Sequence, residues 1–96
     1  MTERKSDGRD LEAVAARLRL TRDALGMRQG EFALAAGIKK NTYNQFEQGK
    51  NLISLAEAWK LVDAHHLTLD WIYGGDQSGL RASLANAIKA IRQARG

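Results

Sequence analysis

Ninety-six residues with 44% hydrophobic content suffice for one small domain, which at this size buries roughly 60–65% of its unfolded surface. A formal charge of +4 suits a nucleic-acid partner, although a solvated basic surface gives the same number; the absence of cysteine rules out disulfides and thiolate metal sites and is compatible with a reducing cytoplasm. No signal peptide is visible, no apolar run approaches the ~18 residues of a membrane helix, and without proline or alternating apolar runs the chain reads as all-α.

Residues 1–9 are polar and charged, with Arg4, Lys5 and Arg9 among them, and are expected to form a loose N-terminal arm. The main domain is expected over residues 10–75. Asp10 is placed to cap a first helix whose core stripe is Leu11, Val14, Leu18, Thr21 and Leu25; Arg17, Arg19 and Arg22 lie away from that stripe. After the connector Gly26-Met27-Arg28, a short helix from about Gln29 to Ala36 puts Phe32, Ala33 and Ala36 on one face. Gly37 then suits a left-handed turn. A third helix from about Lys40 to Gln48 turns Tyr43 and Phe46 inward and stops at Gly49. Helices this short are marginal alone, so the rest of the chain must brace them. The outward surface of the third carries Lys39, Lys40, Asn41, Asn44 and Gln45, with Thr42 at its margin.

Ser54 and Glu57 form a capping box for a fourth helix, with Leu55, Ala58, Trp59, Leu61, Val62 and His65 as its apolar face. His65 and His66 sit near Asp63 and Asp70, but adjacent helical positions diverge by about 100° and no third ligand is evident, so no metal site is expected. Trp71 and Ile72 close the core from a fifth helix that ends at Gly74-Gly75. In residues 76–96, Asp76 or Ser78 is placed to cap a sixth helix with Leu80, Leu84, Ala87, Ile88 and Ile91 at helical spacing; four basic residues and no acidic ones lie between Gln77 and Gly96. That stripe must be buried either on its own domain or against a second chain.

The stretch Gln29 to Gly49, QGEFALAAGIKKNTYNQFEQG, resembles the helix-turn-helix of the Cro/C1-type (Xre-like) phage repressor family. Gln29 opens the family's second helix, and Ala33 and Gly37 stand where close helix packing and a sharp turn are needed. Phe46-Glu47-Gln48-Gly49-Lys50 matches the signature after the recognition helix, and Leu69 to Gly74 matches the final short helix, so the resemblance spans about residues 17–74. It implies a five-helix repressor-like domain, to which the sixth helix is appended. It also implies an ion pair between Arg22 and Glu47 that locks the first helix to the recognition helix. Four features depart from the pattern: Gly30 replaces an acidic residue, Leu34 replaces a polar one, His65 replaces a leucine and is expected as a semi-buried core histidine, and Asn51-Leu52-Ile53 replaces a basic, proline-containing stretch, which weakens the expected phosphate clamp. In the family this last region often meets the dimer mate. Leu52 and Ile53 are therefore dimer-interface candidates, with burial in their own monomer as the alternative. Leu84, Ile88 and Ile91 join them, because the domain before them resembles a closed unit.

Together, the outward face and the resemblance nominate Lys40, Asn41, Asn44 and Gln45 as base contacts: Asn and Gln pair with adenine N6 and N7, and Lys with guanine O6 and N7. Gln29 at a helix N-terminus, with Lys39, Thr42, Gln48 and Lys50, is nominated for phosphates. The expected function is a cytoplasmic, sequence-specific transcriptional regulator of double-stranded DNA, a repressor acting as a homodimer on a palindromic operator without a cofactor. Two alternatives stand beside it, an antitoxin of a toxin–antitoxin pair and a protein-interaction module on the same fold. No nucleophile–base pair, carboxylate pair or phosphate loop suggests an enzyme.

Overall fold

The computed structural model describes residues 10–95; the expected arm at 1–9 and the terminal Gly96 lie outside them. Six helices follow one another: α1 (Leu11–Ala24), α2 (Gln29–Ala35), α3 (Lys40–Glu47), α4 (Leu55–His65), α5 (Leu69–Gly74) and α6 (Ala82–Arg95). There is no strand among the described residues. α1 is the hub, packing against α3, α5 and α6, while α2 packs on α3 and α4 on α5.

Local signals set most of the helix starts. The side chains of Asp10, Ser54 and Thr68 accept hydrogen bonds from Ala13, Glu57 and Trp71 and thereby cap α1, α4 and α5. The Glu31 carboxylate accepts from the Arg28 backbone N–H at the start of α2. Between α2 and α3, Gly37 takes φ +73°, in the left-handed region where a side chain is strained, and the Ile38 N–H closes the turn on the Ala33 carbonyl. Gly49 does the same after α3 at φ +71°, and a Cβ there would also press on the Glu12 carboxylate, 3.2 Å away.

The core gathers Val14 and Leu18 of α1, Phe32 and Ala33 of α2, Tyr43 and Phe46 of α3, Ala58 and Leu61 of α4, and Trp71 and Ile72 of α5. Leu11 and Leu25, at the two ends of the expected α1 stripe, are instead more than one-third exposed. Most polar side-chain atoms inside are matched, the Tyr43 hydroxyl being an exception. The Trp71 indole N–H donates to the Thr21 hydroxyl (2.8 Å), which itself donates to the Arg17 carbonyl (2.6 Å). His65 stacks flat on Phe32, with ring centroids 4.0 Å apart, and its Nε2–H donates to the Phe32 carbonyl (2.9 Å). Buried polar groups keep their place only with such partners.

Three expectations are corrected here. Leu84 and Ile88, nominated for a dimer interface, are buried inside the chain's own core, and Ile91 is partly buried against it. α6 folds back along α1, where Arg95 pairs with Asp23 (2.8 Å) and the Arg92 guanidinium lies 5.5 Å from the Trp71 ring centroid. The physical reason is that α2 to α5 leave one flank of α1 and Trp71 uncovered, and the α6 stripe covers it. Ile53, also nominated for the interface, is 1% exposed; the loop holding it is tied down by the Tyr73 hydroxyl, which donates to the Ile53 carbonyl (2.7 Å). Finally, Asp76 does not cap α6. Its carboxylate accepts from the Ser78 N–H in a turn well before the helix begins at Ala82, and that bond is the main cause of its lowered pKa.

Candidate nucleic-acid interface

Arginines of α1 hold α3 in place. Arg22 grips both oxygens of Glu47, Nε to Oε2 at 2.7 Å and a terminal nitrogen to Oε1 at 3.1 Å, the bidentate geometry in which this pairing is strongest. Its hydrogen bond to Glu47 raises the Arg22 pKa. Glu47 is only 4% exposed, so its charge depends on these donors. Arg19 donates to the Glu47 backbone carbonyl, satisfying one of the open acceptors at the end of α3. Arg17 acts similarly on α5, donating to the carbonyls of Ile72 and Tyr73 at 3.1 Å each; burial, and then the nearby Arg92, lower its pKa. Spacing along α1 separated these three arginines from the apolar stripe without revealing that two of them finish the ends of other helices.

Gln29 extends the Glu47 cluster into the surface. Its Nε2 donates to Glu47 Oε1 (3.1 Å) and to Asn44 Oδ1 (3.0 Å). Both amide protons are thereby used, which corrects the expectation that this side chain holds a phosphate: the buried carboxylate claims it. Because a carboxylate only accepts, the Gln29 amide orientation is determined, and with it the end of Asn44 that faces inward. The Asn44 NH2 group stays available to an outside acceptor. Tyr43 lies beneath, its hydroxyl buried without a well-formed hydrogen bond among the described residues. Burial, more than the neighbouring Glu47, pushes its pKa up.

The outer surface of α3 is exposed at Lys40, Asn41, Thr42 and Gln45, and Asn44 is half-buried beside them. Lys39 at the N-terminal end of α3, Gln48 at its C-cap and Lys50 just past Gly49 are exposed as well. Asn41, Thr42 and Gln45 line an open polar cleft of about 320 Å³ together with Asn51, whose Nδ2 donates to Gln45 Oε1 (3.2 Å). Asn51 is the residue that sequence reasoning passed over. It stands six positions from Gln45, beyond the helix, and only the left-handed turn at Gly49 brings it back. An eight-residue helix is about 12 Å long, close to the width of the DNA major groove, and its outer side chains are amides, a hydroxyl and a lysine that suit base edges.

A helix-turn-helix family model matches residues 18–72, more than half of the chain. The chain belongs to the Cro/C1-type helix-turn-helix family. No curated protein and no solved structure matches it. The family is one of DNA-binding regulator domains and not of enzymes, so this helix-turn-helix protein is a DNA-binding transcription regulator. Among the described residues, no helix is long and apolar enough to cross a membrane.

Proposed function

We propose that this regulator is a repressor that occupies a palindromic operator as a homodimer and reads each half-site with α3. Lys40, Asn41, Asn44 and Gln45 take the base edges, and Lys39, Thr42, Gln48 and Lys50 take phosphates on either side. The observation that carries this reading is the anchoring of α3. Its inner side is fixed by Arg22, Arg19 and Gln29, so its outer amides are positioned before DNA arrives. Preorganised side chains give up less freedom on binding. A helix about 12 Å long spans only a few base pairs, too few for a unique site, and two-fold doubling supplies the remainder. Repression needs nothing beyond occupancy, since a bound protein blocks the promoter it covers.

Selection of a binding site from a random DNA pool tests this. The expected product is an inverted repeat with half-site centres about 34 Å apart, and a promoter carrying it should lose expression when the protein is present. A single unrepeated site contradicts the homodimer on a palindrome, and a rise in expression contradicts repression.

A further inference from the structure

A chain of hydrogen bonds runs outward from the buried Glu47 to the outer surface of α3, and each bond in it has only one possible sense. Arg22 holds both carboxylate oxygens of Glu47, and Gln29 Nε2 adds a third bond to Oε1 at 3.1 Å. An ionised carboxylate has no proton to give, so the nitrogen of Gln29 must face it. The other proton on that nitrogen goes to Asn44 Oδ1 at 3.0 Å, and an NH2 group only donates. Asn44 therefore turns its oxygen toward α2 and its NH2 group away. Reversing its amide would set two NH2 groups face to face and lose this bond in a part-buried place. Gln45 and Asn51 form a similar amide pair at 3.2 Å, but both are exposed and either sense of that pair satisfies it.

The sense of the Asn44 amide bears on which base it fits. Asn reads adenine by accepting from N6 while donating to N7, which needs its oxygen and its nitrogen on the same base edge. With Oδ1 facing α2, that pairing is closed to Asn44. What it offers the major groove is two protons on one nitrogen. Guanine presents two acceptors there, O6 and N7, whereas adenine sets a donor beside its single acceptor. Lys40, one turn earlier on α3 and exposed, likewise has only protons to give. We infer that Asn44 selects guanine over adenine in the operator half-site, because Glu47, acting through Gln29, fixes its amide as a donor. Gln29 is then a positioning residue for specificity, acting on the base through Asn44. The choice of base rests on the reading of DNA by α3 proposed above; the sense of the amide is testable without DNA.

Heteronuclear NMR of the free full chain is the first test. The side-chain NH2 protons of Gln29 should exchange with water more slowly than those of Asn44; a rate for Gln29 that is no slower overturns the proposal. The second test is site selection from a random DNA pool with the parent, Asn44→Ala and Gln29→Ala. The base pair at which Asn44→Ala loses preference is the one Asn44 reads. There the parent should favour a guanine–cytosine pair over adenine–thymine by about tenfold or more, the scale of one well-made contact. Exchanging that guanine for 7-deazaguanine, which lacks the N7 acceptor, should weaken the parent about threefold or more and leave Asn44→Ala unaffected. In Gln29→Ala, Arg22 still holds Glu47 and Asn44 is released to turn, so adenine should come within about threefold of guanine at that pair. A parent that favours adenine–thymine there, or is indifferent to 7-deazaguanine, overturns the proposal whether or not Gln29→Ala folds. So does a folded Gln29→Ala with an unshifted preference, or an Asn44→Ala that relaxes no pair. These results leave the reading by α3 standing on its other side chains, whereas a pool that yields no shared site removes both.

Discussion

α3 and α6 are both amphipathic and both rich in basic and amide side chains, yet the fold uses them in opposite ways. α6 spends its apolar stripe on α1 and Trp71, and two of its arginines are engaged there, Arg95 with Asp23 and Arg92 over the Trp71 ring. α3 also buries one side, with Tyr43, Phe46 and Glu47, but Lys40, Asn41, Thr42 and Gln45 are left facing water. The difference lies in what α1 offers each of them. α3 receives charge-assisted bonds from Arg22 and Arg19 that fix its orientation, whereas α6 receives an apolar flank. A helix held by directional bonds on its inner side can present a defined polar surface outward. One held by apolar contact completes a core.

The largest effect that would test this contrast is removal of residues 79–96. Deleting them strips Leu80, Leu84 and Ile88 from the core, each worth ~1.5–3 kcal/mol when buried, and uncovers Trp71. The shortened chain should lose its cooperative thermal transition; a folded, stable remainder would show α6 to be dispensable. The milder Ile88→Ala should cost ~2–5 kcal/mol by chemical denaturation.

Next in size is the anchor of α3. Arg22→Ala leaves the Glu47 carboxylate short of donors in a buried place, and Glu47→Ala leaves Arg22 without its partner; each should cost ~3–5 kcal/mol, and the double variant much less than their sum. Additive costs in that cycle would mean the two side chains do not depend on each other.

Smaller effects belong to the outward side. Replacing any one of Lys40, Asn41, Asn44 or Gln45 by Ala should cost ~1–3 kcal/mol on the specific site and relax preference at one base pair; thermal stability should stay unchanged for Lys40, Asn41 and Gln45 and fall slightly for Asn44, whose loss also removes the acceptor of Gln29. Removing Lys39 or Lys50 should weaken binding to all sequences alike and flatten the salt dependence of log K by ~1. Asn51→Ala, which frees Gln45 from its 3.2 Å bond, should change discrimination at the base pair that Gln45 reads and leave non-specific affinity unchanged. An identical selected site for the Asn51→Ala variant would separate that residue from recognition.

The contrast also explains what could be read from the residues alone. The turn at Gly37, the stop at Gly49 and the inward pair Tyr43 and Phe46 are short-range features, set by backbone strain and by helix periodicity, and the helix-turn-helix was legible from them. The Arg22–Glu47 pair spans 25 positions and came only through the family resemblance. Periodicity states that the stripe of α6 must be buried but is silent on its partner, which is why Leu84 and Ile88 were assigned to a second chain and lie in the first. The same silence placed Leu55 and Trp59 on the apolar face of α4, when Ala58 and Leu61 are what it buries fully. Gln29 was misjudged for another reason: an exposed-looking amide at a helix start gives no sign that a buried carboxylate 18 residues later and the Asn44 amide oxygen have each taken one of its protons.

The most direct measurement is a binding titration of the chain carrying Lys40→Ala, Asn41→Ala, Asn44→Ala and Gln45→Ala together, against the selected site and an unrelated duplex. The parent protein should favour its site strongly. The fourfold variant, folded but slightly less stable than the parent because Gln29 loses its Asn44 acceptor, should bind both duplexes alike through the remaining phosphate contacts. Retention of the parent's preference by a folded variant would contradict the assignment of α3 as the reading helix.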